Sequence, residues 1–101
     1  MKIIELTGNK PTELDTEIRF SIASLRASGE ELVRFDIRSE SDTTPRSALK
    51  ILRRMKSEGA VQAVASRESF ALEDTEARYI NNKYGQTLGE IPEFEFVFVK
   101  I

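Results

Sequence analysis

The sequence predicts an α/β domain: a two-layer sandwich with helices mainly on one face of a mixed four-stranded sheet, in the order β-α-β-α-β-α-β. Three observations carry this expectation. Leu32–Arg38 and Glu93–Ile101 alternate with period two, as strands do, while the stretches between turn signals carry apolar residues at helical spacing. Each helical stretch is bounded by a glycine, Gly29, Gly59 or Gly85. Val33, Phe35 and Ile37 share one side of their strand, opposite Arg34, Asp36 and Arg38. That alternation predicts one buried and one wet face, since a sheet buried on both sides reads as a continuous apolar run. A three-layer doubly wound sheet is the alternative.

Residues 2–6 read as the first strand, followed by the turn cluster Gly8-Asn9-Lys10-Pro11. Thr12-Glu13-Leu14-Asp15 has capping-box spacing, with Asp at the last place. The first helix is predicted to run to about Ala27, with Leu14, Ile18, Ile22 and Leu25 as its core stripe and Phe20 well off it. After the second strand, Thr44 is suited to cap a helix and Pro45 to open it. That helix runs to about Glu58 and places Ala48, Ile51, Leu52 and Met55 on one side. Arg46, Lys50 and Arg53 fall on the other, with Arg54 beside them. Ala60–Ser66 reads as a third strand, Phe70–Tyr84 as a third helix and Gln86–Pro92 as a loop. In the last strand, Phe94, Phe96 and Phe98 point to the core. Val97, Val99 and Ile101 point the other way, which predicts either a partner over that face or a central position for the strand.

Right-handed crossovers pair the early strands in parallel, while the final strand is expected to join antiparallel. With 101 residues, the chain is expected to form one domain spanning 1–101, long enough to bury a core without covalent staples.

Composition removes several kinds of chemistry. There is no Cys, so disulfides and thiol nucleophiles are absent, which fits a reducing, cytoplasmic setting. There is no His, which removes the Ser-His-Asp and Cys-His arrangements and the imidazole ligands of zinc sites. No stretch has the length and apolarity of a membrane span. The net charge of −2 gives no global attraction to nucleic acid, so any such contact needs a local patch.

Three candidate surfaces follow. The first is the basic helix face, Arg46, Lys50, Arg53 and Arg54, joined by Arg38 at the preceding strand end. Such a face is commonly plain solvated surface; its functional reading is contact with anions or nucleic-acid phosphates. The second is the hydroxyl loop Ser39–Thr44, with Thr43 and Thr44 as candidate regulatory positions against ordinary turn chemistry. The third is an apolar interface at Phe20, Val97 and Val99, open to a protein partner or a second copy of the chain. Asp36, Glu40 and Asp42 are carboxylates near a strand end that a hard metal ion would suit. The flanking Arg34 and Arg38 favour an ion pair at Asp36 instead, so no metal site or cofactor is assigned.

Ile4-Glu5-Leu6-Thr7-Gly8, then a helix ending near Gly29 and the strand Leu32-Val33-Arg34-Phe35-Asp36-Ile37, resemble the opening of a Smr domain. That family is similar in fold to the C-terminal domain of translation initiation factor 3. The resemblance spans roughly the first 65 residues by layout, and Phe96-Val97-Phe98-Val99 fits the family's apolar closing strand. It implies nucleic-acid binding, with nicking or RNA cleavage in some members. Thr7 stands where the first motif has His, and Ile37-Arg38 stand where the second has His-Gly. The resemblance therefore implies the scaffold without the family's signature residues. A second resemblance is to the STAS domains of anti-anti-sigma regulators. It rests on Phe35-Asp36-Ile37 followed by Asp42-Thr43-Thr44 and an apolar helix, with Pro45 in place of that family's Gly. The sequence is thus expected to encode a non-catalytic binding module for RNA or DNA, or alternatively a regulatory, protein-binding or self-associating domain.

Overall fold

The computed structural model describes residues 1–38, 44–66 and 94–101. Its elements are β1 (Lys2–Glu5), α1 (Pro11–Ala27), β2 (Leu32–Arg38), α2 (Thr44–Ser57), β3 (Ala63–Ser66) and β4 (Phe94–Lys100). The expected third helix at 70–84 and the loop at 86–92 lie outside the described residues.

The four strands form one mixed sheet in the order β1-β2-β4-β3. β1 runs parallel to β2, with Ile3 opposite Arg34. β4 enters antiparallel between β2 and β3, pairing Phe35 with Val97 on one side and Val64 with Val99 on the other. The last strand is therefore central, which settles the open question about its valines. Val97 and Val99 are buried within the chain's own core and are not available as an interface. Val97 and Val99 pack with the stripes of α1 and α2, while Phe96 and Phe98 belong to a separate cluster on the other face.

The first cluster lies under the helices. Leu14, Ile18, Ile22 and Leu25 of α1 join Ala48, Ile51, Leu52 and Met55 of α2 against Val33, Phe35, Ile37, Val64, Val97 and Val99. These are the stripes that helical periodicity selects. Each fully buried Leu, Ile or Val contributes about 1.5–3 kcal/mol. The second cluster is Ala63, Ala65, Phe96 and Phe98 with the half-buried Leu32, on the opposite face. Every helix residue of the described core belongs to the first cluster, so both described helices lie on one side of the sheet.

The face expected to be wet is instead buried. Arg34 is only 5% exposed, and Phe96 and Phe98 stand on its side of the sheet. Charge alternation misleads here because the Arg34 and Asp36 side chains neutralise each other, and a neutralised pair no longer demands water. Phe96 and Phe98 meet edge to face, with ring centroids 5.5 Å apart. They pack on this second face rather than beneath the helices.

Both helices end in the same way. In α1, the Glu30 amide donates to the Leu25 carbonyl and that of Gly29 to Arg26. In α2, Ala60 donates to Met55 and Gly59 to Lys56. These paired bonds need a left-handed residue, and Gly29 and Gly59 supply it at φ 79° and 77°. The start of α1 departs from expectation. Its N-cap is Lys10, without a side-chain cap, and Pro11 opens the helix two residues before Glu13. The Thr12–Asp15 capping box does not form, because Pro11 already suits the first helical position. Glu13 instead accepts from the Asn9 amide at 3.3 Å.

Candidate functional site

Lys50, Arg53 and Arg54 stand exposed on α2. The helix turns its apolar stripe to the sheet, so its cationic side chains are left at the surface. Arg38 ends β2 and Arg46 lies in the first turn of α2, but their side chains are outside the described residues. So is Thr43, and Thr44 is described only as the first residue of α2.

Arginines elsewhere in the described residues are engaged. Arg19 Nε donates to Asp15 Oδ1 at 2.8 Å and its guanidinium reaches Glu58 at 3.5 Å. Asp15, by hydrogen bond and then by charge, raises the Arg19 guanidinium above its ordinary value. Arg26 Nη2 donates to the Ala60 carbonyl and ties the end of α1 to the residue beyond α2. Arg34 binds Asp36 through two bonds. Among the described residues, Lys50, Arg53 and Arg54 have no ion pair.

Two of these cations share a groove between the helices. Ser47, Lys50, Ile51 and Arg54 line it from α2, and Pro11, Thr12, Asp15 and Thr16 from α1; its volume is about 510 Å³. Residues three and four apart share a helix face, so each helix presents one stripe to the space between them. Arg53 lies outside this lining. The one carboxylate in the groove, Asp15, is already bound to Arg19. The groove therefore pairs two unpartnered cations with a neutralised acid, over hydroxyls and a partly apolar floor. Periodicity finds the cations, but the α1 side of the groove is not visible in it, because a single sequence does not say which stripes of two helices face each other.

Phe20 is 73% exposed, as its place off the core stripe predicts, and Met1 and Ile3 are also exposed. Beside Phe20, Glu13 and Glu17 are held by the β1–α1 turn. Glu17 takes the Thr7 amide at 2.9 Å on Oε1 and the Thr7 hydroxyl at 2.8 Å on Oε2. Sequence reading did not single out Glu17, because the contact joins residues ten apart across a turn. Thr7 thus spends its hydroxyl on holding the turn. Asp36 is engaged by Arg34, while Glu40 and Asp42 lie outside the described residues. Among the described residues, no group of three His, Cys, Asp or Glu is placed to hold a metal ion, and no helix is long and apolar enough to cross a membrane.

No protein-family model, curated protein or solved structure matches the chain. The Smr and STAS resemblances therefore rest on sequence pattern alone.

Proposed function

We propose that the protein is a small non-catalytic binding module that contacts nucleic-acid phosphates through the cationic edge of α2. The observation that carries this reading is the cluster of unpaired cations on α2, set against the engaged arginines elsewhere. Arg19, Arg26 and Arg34 have protein acceptors, whereas Lys50, Arg53 and Arg54 are exposed and unpaired among the described residues. Long cations held apart from carboxylates retain their charge for an external anion, and phosphates are the anions that several such side chains at helical spacing contact together. The Smr-like layout supports a nucleic-acid scaffold of this kind, with Thr7 in place of a catalytic-motif histidine. We place the module in the cytoplasm, in keeping with a chain that has no cysteine.

The test is a titration of short mixed-sequence RNA and DNA by anisotropy, across about 50–200 mM salt. Binding that falls steeply with salt, and that Lys50→Glu/Arg53→Glu abolishes, is the expected result. Absence of binding at the low-salt end overturns the proposal.

Phe20 supports a second reading, a protein-interaction or self-associating module, because an aromatic side chain 73% exposed on a helix is a ready contact. Sedimentation equilibrium at high protein concentration separates the self-association version: a strict monomer ends it.

A further inference from the structure

Resting on the reading that Lys50 and Arg54 contact phosphate, we infer that the α1–α2 groove seats one unpaired nucleotide, so that the partner is single-stranded nucleic acid. The groove offers three chemistries at once. Lys50 and Arg54 supply two free positive charges from one side of a space of about 510 Å³. Thr16 and Ser47 contribute hydroxyls from opposite helices; Thr16 Oγ1 donates to the Thr12 carbonyl and so keeps lone pairs for an incoming donor. Ile51, 7% exposed, and Pro11 provide apolar surface beside them.

A phosphate alone uses only the cations. A duplex presents its phosphates on a convex surface and keeps its bases stacked inside, so it reaches the cations but leaves the hydroxyls and the apolar surface unused. An unpaired nucleotide carries a phosphate, a sugar and a splayed base in one covalent unit, and so meets all three. Among the described residues that line the groove the one carboxylate is Asp15, and Arg19 holds it at 2.8 Å.

The deciding experiment compares wild-type binding to short single-stranded RNA and DNA with binding to a blunt-ended duplex of the same sequence, at one low salt concentration. Two filling variants, Thr16→Leu and Ser47→Leu, are measured alongside, and circular dichroism establishes that each is folded. Both keep Lys50 and Arg54 and narrow the groove from different helices, so one remains informative if the other does not fold. Single strands are expected to bind more tightly than the blunt-ended duplex, and each folded filling variant to lose that advantage while duplex binding stays unchanged. Equal wild-type affinity for duplex and single strands, or filling variants that bind single strands like wild type, overturns the nucleotide seat and leaves the phosphate reading standing. Failure of the wild type to bind either form overturns both.

Discussion

Arg34 and Asp36, two residues apart on β2, face the same side of the sheet and close a two-bond pair there. Arg34 Nε lies 2.7 Å from Oδ1 and Nη2 lies 3.0 Å from Oδ2. Their side chains are 6% and 14% exposed, and the guanidinium carbon stands 5.8 Å from the centre of the Phe96 ring. The fork geometry and the ring face offset part of the cost of taking a guanidinium out of water. Among the described residues, the buried Arg34 Nη1 has no hydrogen-bond partner.

Removing one partner of this pair is therefore expected to be costly. Asp36→Ala leaves a buried, uncompensated guanidinium and is predicted to destabilise the fold by about 3–5 kcal/mol. The double change Arg34→Met/Asp36→Leu replaces the pair by apolar groups and is predicted to be neutral or stabilising by up to about 4 kcal/mol. Urea unfolding of both variants checks the prediction through the order of their midpoints.

Ile18 and Phe20 lie on one helix yet face opposite environments, fully buried and 73% exposed. Ile18→Ala is predicted to cost about 2–5 kcal/mol through lost burial and a residual cavity. Phe20→Ser is predicted to change stability by no more than about 0.5 kcal/mol. Thermal unfolding that shows similar losses for the two would contradict the placement of α1.

Gly59 takes the left-handed conformation in which its amide and that of Ala60 close the end of α2. Any side chain there meets its own backbone, so Gly59→Ala is predicted to destabilise by about 1–2 kcal/mol although nothing lies within 4 Å of the added carbon. Denaturant midpoints measure this directly.

The Asp15–Arg19 pair gives the groove a test that touches neither of its cations. Arg19→Ala frees a carboxylate beside Lys50 and Arg54 and is predicted to weaken oligonucleotide binding about two- to fivefold at low salt. Asp15→Asn removes that negative charge and is predicted to strengthen binding by a similar factor. Lys50→Ala and Arg54→Ala are each predicted to reduce the slope of log K against log salt by about 0.7–0.9. Anisotropy titrations at several salt concentrations measure all four variants.

Much of the fold is legible in the residues because local periodicity and burial agree. The stripes Leu14-Ile18-Ile22-Leu25 and Ala48-Ile51-Leu52-Met55 are the ones the helices bury, and Gly29 and Gly59 close them. What periodicity does not carry is which neighbour covers a face. The ion pair at Asp36 is legible in the sequence, but Arg34 and Asp36 still read as a solvated side, because pattern alone does not reveal that the pair is buried. Val97 and Val99 leave a covering partner and a central strand as alternatives, because the place of β4 in the sheet is a long-range property. In the candidate site, exposure of Lys50, Arg53 and Arg54 follows from the stripe opposite them. The groove that Lys50 and Arg54 share with Thr12 and Thr16 depends on how α1 and α2 meet. The hold of Glu17 on Thr7 depends likewise on the path of a turn.

The insertion of β4 between β2 and β3 also fixes an order of events on the ribosome. Synthesis runs from the N-terminus, so β1, β2 and β3 all emerge before the strand that joins them. Until Phe94–Lys100 is made, β2 has a bare inner edge and β3 has no partner among the described strands. The αβ unit formed by the first half of the chain must wait with an unpaired strand exposed, the condition in which nascent chains are most open to wrong pairing and to chaperones. Pairing of Leu32 with Lys100 closes a long loop, so completion of the sheet is expected to be a late folding step.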